Sequence, residues 1–321
     1  MKVLVTGASG FIGSALVRRL EAEGHDVWGM YRHRPDGRYN PYEARNKVFG
    51  DLKDASGVYH VLEKVQPEVV FHLGAITPVY YSFINPIDVV ETTFGGTVNL
   101  AHACLDFSVE HFIFAATSEV YGATGTGLTV LDETMPCAPI SPYAAAKHAA
   151  EIYIQSLGRT HGLPWTIIRP FNTFNRSQVN QKYFVVEKTI NQALTTGLIS
   201  LFDPNPIRDL LDRDSHVDGY VKAMEHRMTV MLQIINVCRG QGITIEGMAE
   251  LISLLVGEEY QKTVEVFWED HPDRPADIQT LIGSNIKAWE LLGWKPLYSF
   301  EDGIRIAIQE WAEVLGVKRG G

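Results

Sequence analysis

Six short runs in the first half of the chain are apolar, or alternate apolar with polar residues. They are KVLVT (2–6), DVWGMY (26–31), KVFGDL (47–52), EVVFHLG (68–74), HFIFAATS (111–118) and WTIIRPF (165–171). Their β-branched and aromatic content predicts strands. Between them apolar residues fall at helical spacing, as from Ile12 to Ala22 and from Val89 to Phe107. Strands alternating with helices imply βαβ crossovers, which set parallel strands in one sheet covered on both faces. The expected fold class is α/β, a doubly wound parallel sheet.

After Asn172 the pattern loosens. Residues 173–183 are polar and mixed, 184–197 have helical spacing, and 202–215 carry prolines and many charges. IINV (234–237) predicts a further strand, and 244–256 and 300–315 predict helices. This half reads as a smaller, irregular lobe interleaved with the first.

Composition narrows the classes. A chain of 321 residues can bury one large core, or a large domain with a smaller one attached. Hydrophobic residues at 45% and charged residues at 21% set disorder aside. A net charge of −10 disfavours a nucleic-acid surface, yet a few arginines and backbone amides suffice for a small anion. Cys104, Cys137 and Cys238 are odd in number and lack CxxC spacing, which fits a reducing, cytoplasmic setting. With no apolar run of 18 residues and Met1 leading straight into a strand, neither a membrane span nor a signal peptide is expected. His72, His102 and His148 show no ligand spacing, so no metal site is expected.

The chemistry begins at Thr6-Gly7-Ala8-Ser9-Gly10-Phe11-Ile12-Gly13, directly after the first strand. Gly7 permits a tight turn, Gly10 lets backbone approach a pyrophosphate, and Gly13 lets the helix pack closely. In a strand–turn–helix context this is a dinucleotide fingerprint. A carboxylate ending the second strand would hydrogen-bond a ribose 2′-hydroxyl, but the residues there are Met30-Tyr31-Arg32-His33-Arg34. Arg32 and Arg34 suit a 2′-phosphate instead, which favours NADP over NAD. Asp51 and Leu52 end the third run, where a carboxylate can accept from the adenine amine and an aliphatic side chain can pack on the base.

Ser141-Pro142-Tyr143-Ala144-Ala145-Ala146-Lys147 places Tyr143 and Lys147 four residues apart, on one face of a helix. A lysine ammonium near a phenol favours the phenolate, so Tyr143 can act as a base towards a hydroxyl undergoing oxidation. Thr117-Ser118-Glu119-Val120-Tyr121-Gly122 lies at the carboxyl end of a predicted strand, where open α/β sheets place ligands.

TGxxGxxG, a strand ending in Thr or Ser, and YxxxK together resemble the extended short-chain dehydrogenase/reductase family of NAD(P)-dependent epimerases and dehydratases. The likeness continues through HLGA (72–75), RPFN (169–172), RDLL (208–211) and RPADIQTLIGSNIKAWELLGWKP (274–296), covering nearly the whole chain. It implies a Rossmann domain over 1–172 with about 212–240, and a substrate domain over 173–211 with about 241–321. It also implies a homodimer, a nucleotide-diphosphate sugar substrate (GDP- or UDP-linked), and cofactor contacts from Phe11, Ile12, Leu73 and Ala75.

The block Thr117-Ser118-Glu119 resembles nucleotide-sugar 4,6-dehydratases, the GDP-mannose enzymes most closely. The resemblance implies that Thr117 and Tyr143 hold the sugar 4-hydroxyl and that Glu119 takes the C5 proton. Ser118 or Glu119 then handles the proton at C6, and Lys147 also holds the nicotinamide ribose. Asn172, Arg208 and Arg274 match positions that contact nucleotide or diphosphate, and Lys188 and Ser82 match substrate-near positions. A 4-epimerase like UDP-glucose 4-epimerase, a 4-keto-sugar reductase and a catalytically silent dinucleotide-binding protein are the alternatives. Asp212-Arg213-Asp214-Ser215, Thr93 (commonly Asn) and Gly74 (commonly Ala) depart from the family pattern.

Overall fold

The computed structural model describes residues 1–32, 42–124, 129–175, 184–270 and 278–320. The first part contains β1 (Lys2–Thr6), α1 (Phe11–Ala22), β2 (Asp26–Tyr31), β3 (Asn46–Phe49), α2 (Ala55–Val65) and β4 (Val69–His72). Then come α3 (Val79–Ile84), α4 (Pro86–Val90), α5 (Gly96–Asp106), β5 (His111–Ala115), β6 (Val130–Leu131), α6 (Pro142–His161) and β7 (Trp165–Pro170). The remainder comprises β8 (Asn172–Phe174), α7 (Val185–Thr195), β9 (Leu198–Leu201), β10 (Ile207–Asp212), α8 (Arg213–Glu225), α9 (Arg227–Val230) and β11 (Gln233–Val237). It ends with β12 (Gly242–Thr244), α10 (Ile245–Tyr260), β13 (Glu265–Trp268), β14 (Thr280–Gly283), α11 (Ile286–Leu292) and α12 (Phe300–Leu315).

Seven parallel strands form the main sheet in the order β11-β7-β5-β4-β1-β2-β3. Both faces are covered. Leu16, Val17 and Leu20 of α1 share one core with Val217, Val221 and Met224 of α8. Val61 and Leu62 of α2, Leu100 of α5 and Ala150 and Ile154 of α6 share the other. The strand order reverses between β1 and β4, and it is beyond the carboxyl ends of the strands at such a reversal that open α/β sheets take ligands. This is the Rossmann arrangement.

A second sheet runs β12-β10-β14-β6, with β8 beside β10, and β13 pairs with β9. Its core draws on Ile190, Leu194, Ile252, Val256, Ile308 and Trp311, from α7, α10 and α12. The structure adds detail that the pattern hid. β10 lies inside the charged stretch 202–215, where only Leu210 and Leu211 are buried and hydrophobic. The helical run 89–107 contains a π turn over Glu91–Gly95 between α4 and α5. β5 stops at Ala115, and Ser118–Thr124 winds as a 3₁₀ turn.

Candidate active site

The glycine-rich turn is built by close approach. Gly7 has φ +69°, and a Cβ there would lie 2.8 Å from the Gly74 nitrogen. A Cβ on Gly13 would lie 2.1 Å from the Gly7 oxygen, so α1 meets the turn only because Gly13 has none. At Gly10 a Cβ would meet only that same oxygen, at 3.0 Å, which leaves space on its other side. Phe11 and Ile12 open α1, which has no side-chain cap and no acid in its first turn. Its amides suit a pyrophosphate.

The end of β4 is tied to this turn by a buried chain of hydrogen bonds. Gly74 N donates to Thr6 Oγ1 (3.1 Å), which bonds His72 Nδ1 (2.8 Å); His72 Nε2 bonds Thr97 Oγ1 (2.9 Å), and Thr97 donates to Thr93 O (2.6 Å). Thr97 gives its proton to a carbonyl, so it must accept from His72 Nε2–H, and Thr6 donates to Nδ1. Burial, aided by the charge of Lys147, pushes the His72 imidazole down to about 3. It stays neutral, in the structural role favoured for it. Leu73 and Ala75 flank Gly74 and are half-buried.

Ser141 caps α6 by accepting from Ala144 N at 3.1 Å, and Pro142 comes next in the first turn. The alanine-rich helix runs 20 residues, about 30 Å at 1.5 Å per residue. Tyr143 and Lys147 both lie on its buried face. Lys147 Nζ donates to Ala115 O at 2.5 Å and sits 4.7 Å from the centroid of the Phe114 ring. Both partners belong to the end of β5, just before Thr117. Burial pushes the Lys147 ammonium down to about 7, opposed by the Glu151 carboxylate one turn along. Thr117 and Ser118 are buried and Glu119 is half-buried; Glu119 N donates to Thr117 Oγ1 at 3.2 Å.

Glu151 was not singled out from sequence, although its spacing of four from Lys147 and eight from Tyr143 marks the same face. Fully buried, it accepts from Arg169 Nε at 2.9 Å and Nη2 at 2.7 Å. Burial would raise its carboxyl, but the Arg169 hydrogen bonds and charge prevail and hold it below the usual carboxylate range. Arg169 Nη2 also reaches Cys137 Sγ at 3.3 Å. Cys137, His148 and Glu151 bring ligand atoms within 4.8 Å of one another, but a guanidinium already bridges two of the three.

The other candidates are more dispersed. Arg32 is exposed directly after β2, and Asp51 and Leu52 are half-buried between β3 and α2. Asn172, at the start of β8, has a buried Oδ1 with no hydrogen-bond partner among the described residues. Arg208 on β10 donates to Ile207 O and Gln279 O. Lys188 on α7 lies 5.1 Å from the Phe202 ring centroid. Ser82 is buried, with its hydroxyl donating to Val79 O at 2.6 Å inside α3. Arg34 and Arg274 lie outside the described residues.

A parallel sheet in Rossmann order with a glycine-rich turn after β1 is the architecture of dinucleotide-binding proteins. The family model described as GDP-mannose 4,6 dehydratase matches residues 4–307, and the chain belongs to this family of NAD-dependent epimerases and dehydratases. A UDP-glucose 4-epimerase of Mycolicibacterium smegmatis is 32% identical, covering 96% of this chain and 98% of its own. A dTDP-glucose 4,6-dehydratase of Haemophilus influenzae is 27% identical, covering 96% and 97%. The crystal structure of Thermus thermophilus UDP-glucose 4-epimerase in complex with NAD superposes with a TM-score of 0.86 at 30% identity, covering 97% and 99%.

Proposed function

We propose that the chain is a nucleotide-sugar 4,6-dehydratase. The observation that carries this reading is Glu119, a half-buried carboxylate in the turn after β5, tied through its own amide to Thr117. Gly7, Gly10, Phe11, Ile12, Gly13, Leu73 and Ala75 hold the dinucleotide, and Asp51 and Leu52 its adenine. A bound nicotinamide cofactor supplies hydride acceptance and hydride return. Thr117 orients the sugar 4-hydroxyl and Tyr143 takes its proton. Lys147, held by Ala115 O, favours the phenolate while it carries its charge. A C4 ketone acidifies C5–H, Glu119 removes that proton, and water leaves from C6 with Glu119 or Ser118 supplying its proton. Asn172, Lys188, Arg208, Arg274 and Ser82 are assigned to the GDP- or UDP-sugar.

A second reading, 4-epimerisation, is favoured by the 32% identical M. smegmatis relative. Incubating the protein with a panel of nucleotide sugars and weighing the products decides between them. Loss of one water supports the dehydratase; a new isomer of unchanged mass supports the epimerase; a gain of two hydrogens from NADPH means a reductase. A product panel unchanged under all conditions would mean a catalytically silent binder.

NADP is the proposed cofactor, with NAD the alternative, since Arg32 is exposed beyond β2 where an acid would select NAD. Isothermal titration checks this: NADP binds more tightly, and Arg32→Ala narrows the gap. Tighter NAD binding in the unmodified protein overturns it. A homodimer is also proposed. Tyr80, Ile84, Ile87 and Val90 on α3 and α4, and Ile152 on the neighbouring α6, expose apolar surface. Light scattering at micromolar concentration reads the mass directly. No helix among the described residues is long and apolar enough to cross a membrane, and a cytoplasmic location is part of the same proposal.

A further inference from the structure

Helix α5 does more than cover the sheet. Asn99 Nδ2 donates to Leu52 O at 2.8 Å, across 47 residues of sequence. Three residues earlier on the same face, a Cβ on Gly96 would lie 2.7 Å from Leu52 Cβ, so this helix approaches Leu52 as closely as a backbone can. A Cβ on Gly74 would lie 2.8 Å from Leu52 Cδ1, so the turn after β4 closes on the same side chain. Leu52 is therefore held at its carbonyl, its Cβ and its tip. Asp51 moves with it, because Asp51 Oδ1 accepts from Lys53 N at 3.0 Å and Asp51 O from Asp54 N at 3.0 Å, closing one tight turn.

The other stripe of the helix holds His72 through Thr97, and through His72 it holds Thr6 and Gly74. The π turn at Glu91–Gly95 comes immediately before α5. A π turn takes up an extra residue and so resets the rotation of the helix after it. That rotation points Gly96 and Asn99 at Leu52 while Thr97 faces His72. One helix thus fixes the residues after β3 and those around the ends of β1 and β4.

We propose that Asn99 is a positioning residue for the adenine end of the cofactor site, acting through the Leu52 carbonyl. The inference rests on the reading of Asp51 and Leu52 as the adenine contacts. A hydrogen bond of this kind contributes on the order of 1 kcal/mol, so its loss should weaken adenine-end binding roughly five- to tenfold.

Two variants test it. Asn99→Asp keeps the shape and removes the donor; Asn99→Leu keeps most of the volume and removes all hydrogen bonding. The probe is ADP, which fills only the adenosine end, with UDP as the probe for the other lobe. The expected result is an ADP Kd raised about five- to tenfold in both variants. The UDP Kd and kcat at saturating cofactor should stay within about twofold. Equal losses for ADP and UDP would mean general loosening and would overturn the proposal. Leu52→Ala separates the inference from the reading beneath it. If Leu52→Ala weakens ADP while both Asn99 variants do not, the positioning role alone falls. If Leu52→Ala leaves ADP binding unchanged, the adenine assignment fails and takes the proposal with it.

Discussion

Tyr143 and Lys147 illustrate what single side chains contribute. The lysine is fully enclosed, bonded to a carbonyl and brought down to about 7, so its charge is poised to change near neutral pH. Replacing Tyr143 by Phe removes only an ionisable hydroxyl, and turnover should fall about 10²–10⁴-fold with binding preserved. Steady-state rates and a titration of nucleotide sugar check it; near-normal turnover would sink the role given to Tyr143. Glu119→Gln keeps the side chain's shape and removes its basicity. This variant should still bind substrate but fail to exchange the C5 hydrogen with heavy water. Deuterium at C5, read by NMR, is the measurement, and full incorporation in the variant counts against Glu119 as the base. Both residues were candidates from sequence because their spacing is local. Glu151 was not, because its meaning depends on Arg169, which reaches it from β7.

Elements place these side chains, and they tolerate little change at their contacts. Gly13 is the tightest case: the Gly7 carbonyl occupies the space that a methyl group would need. Gly13→Ala should therefore push α1 off the turn, at a cost of about 1–3 kcal/mol typical of overpacking. Cofactor affinity should drop at least tenfold, a difference of about 1.4 kcal/mol at a site set by the same turn. Titration of the cofactor together with a thermal melt would show it, and wild-type affinity would contradict the close-approach account. β10 shows the limit of pattern reading. Its charged residues include Asp209, fully buried and accepting from Arg239 N, Gly240 N and Gly283 N. A strand whose polar residues are satisfied by distant backbone does not alternate in the expected way.

The whole molecule has a pH dependence that its buried groups dictate. Burial pushes His72 down to about 3 and His111 to about 4, both from 6.5. The unfolded chain therefore binds protons that the folded one refuses, and stability is lost as pH falls below about 6.5. Asp209 acts the other way: burial raises it to about 6, so the folded chain takes up its proton first and stability falls as pH rises between 3.8 and about 6. Each displaced pH unit is worth about 1.4 kcal/mol, and the two histidines together are displaced further than Asp209. The urea midpoint should thus fall from pH 7 to pH 4, and His72→Asn should flatten the slope. A midpoint that does not change over this range would show that the histidines are not held neutral.

By itself the sequence determined what depends on near neighbours along the chain. It specified the alternation of strands and helices, the glycine turn after β1, the capped helix with Tyr143 and Lys147 on one face, and the acid beside Thr117. Hydrophobic period and turn chemistry act over a few residues, and a single chain carries them in plain view. Only the tertiary structure decided which distant residues meet. It brought Thr6 to His72, Leu52 to Asn99, Glu151 to Arg169 and Asp209 to Gly283, and it set the strand order that reverses between β1 and β4. Those pairings arise because buried polar groups must find partners wherever the packed sheet and helices place them, and spacing along the chain carries no record of that.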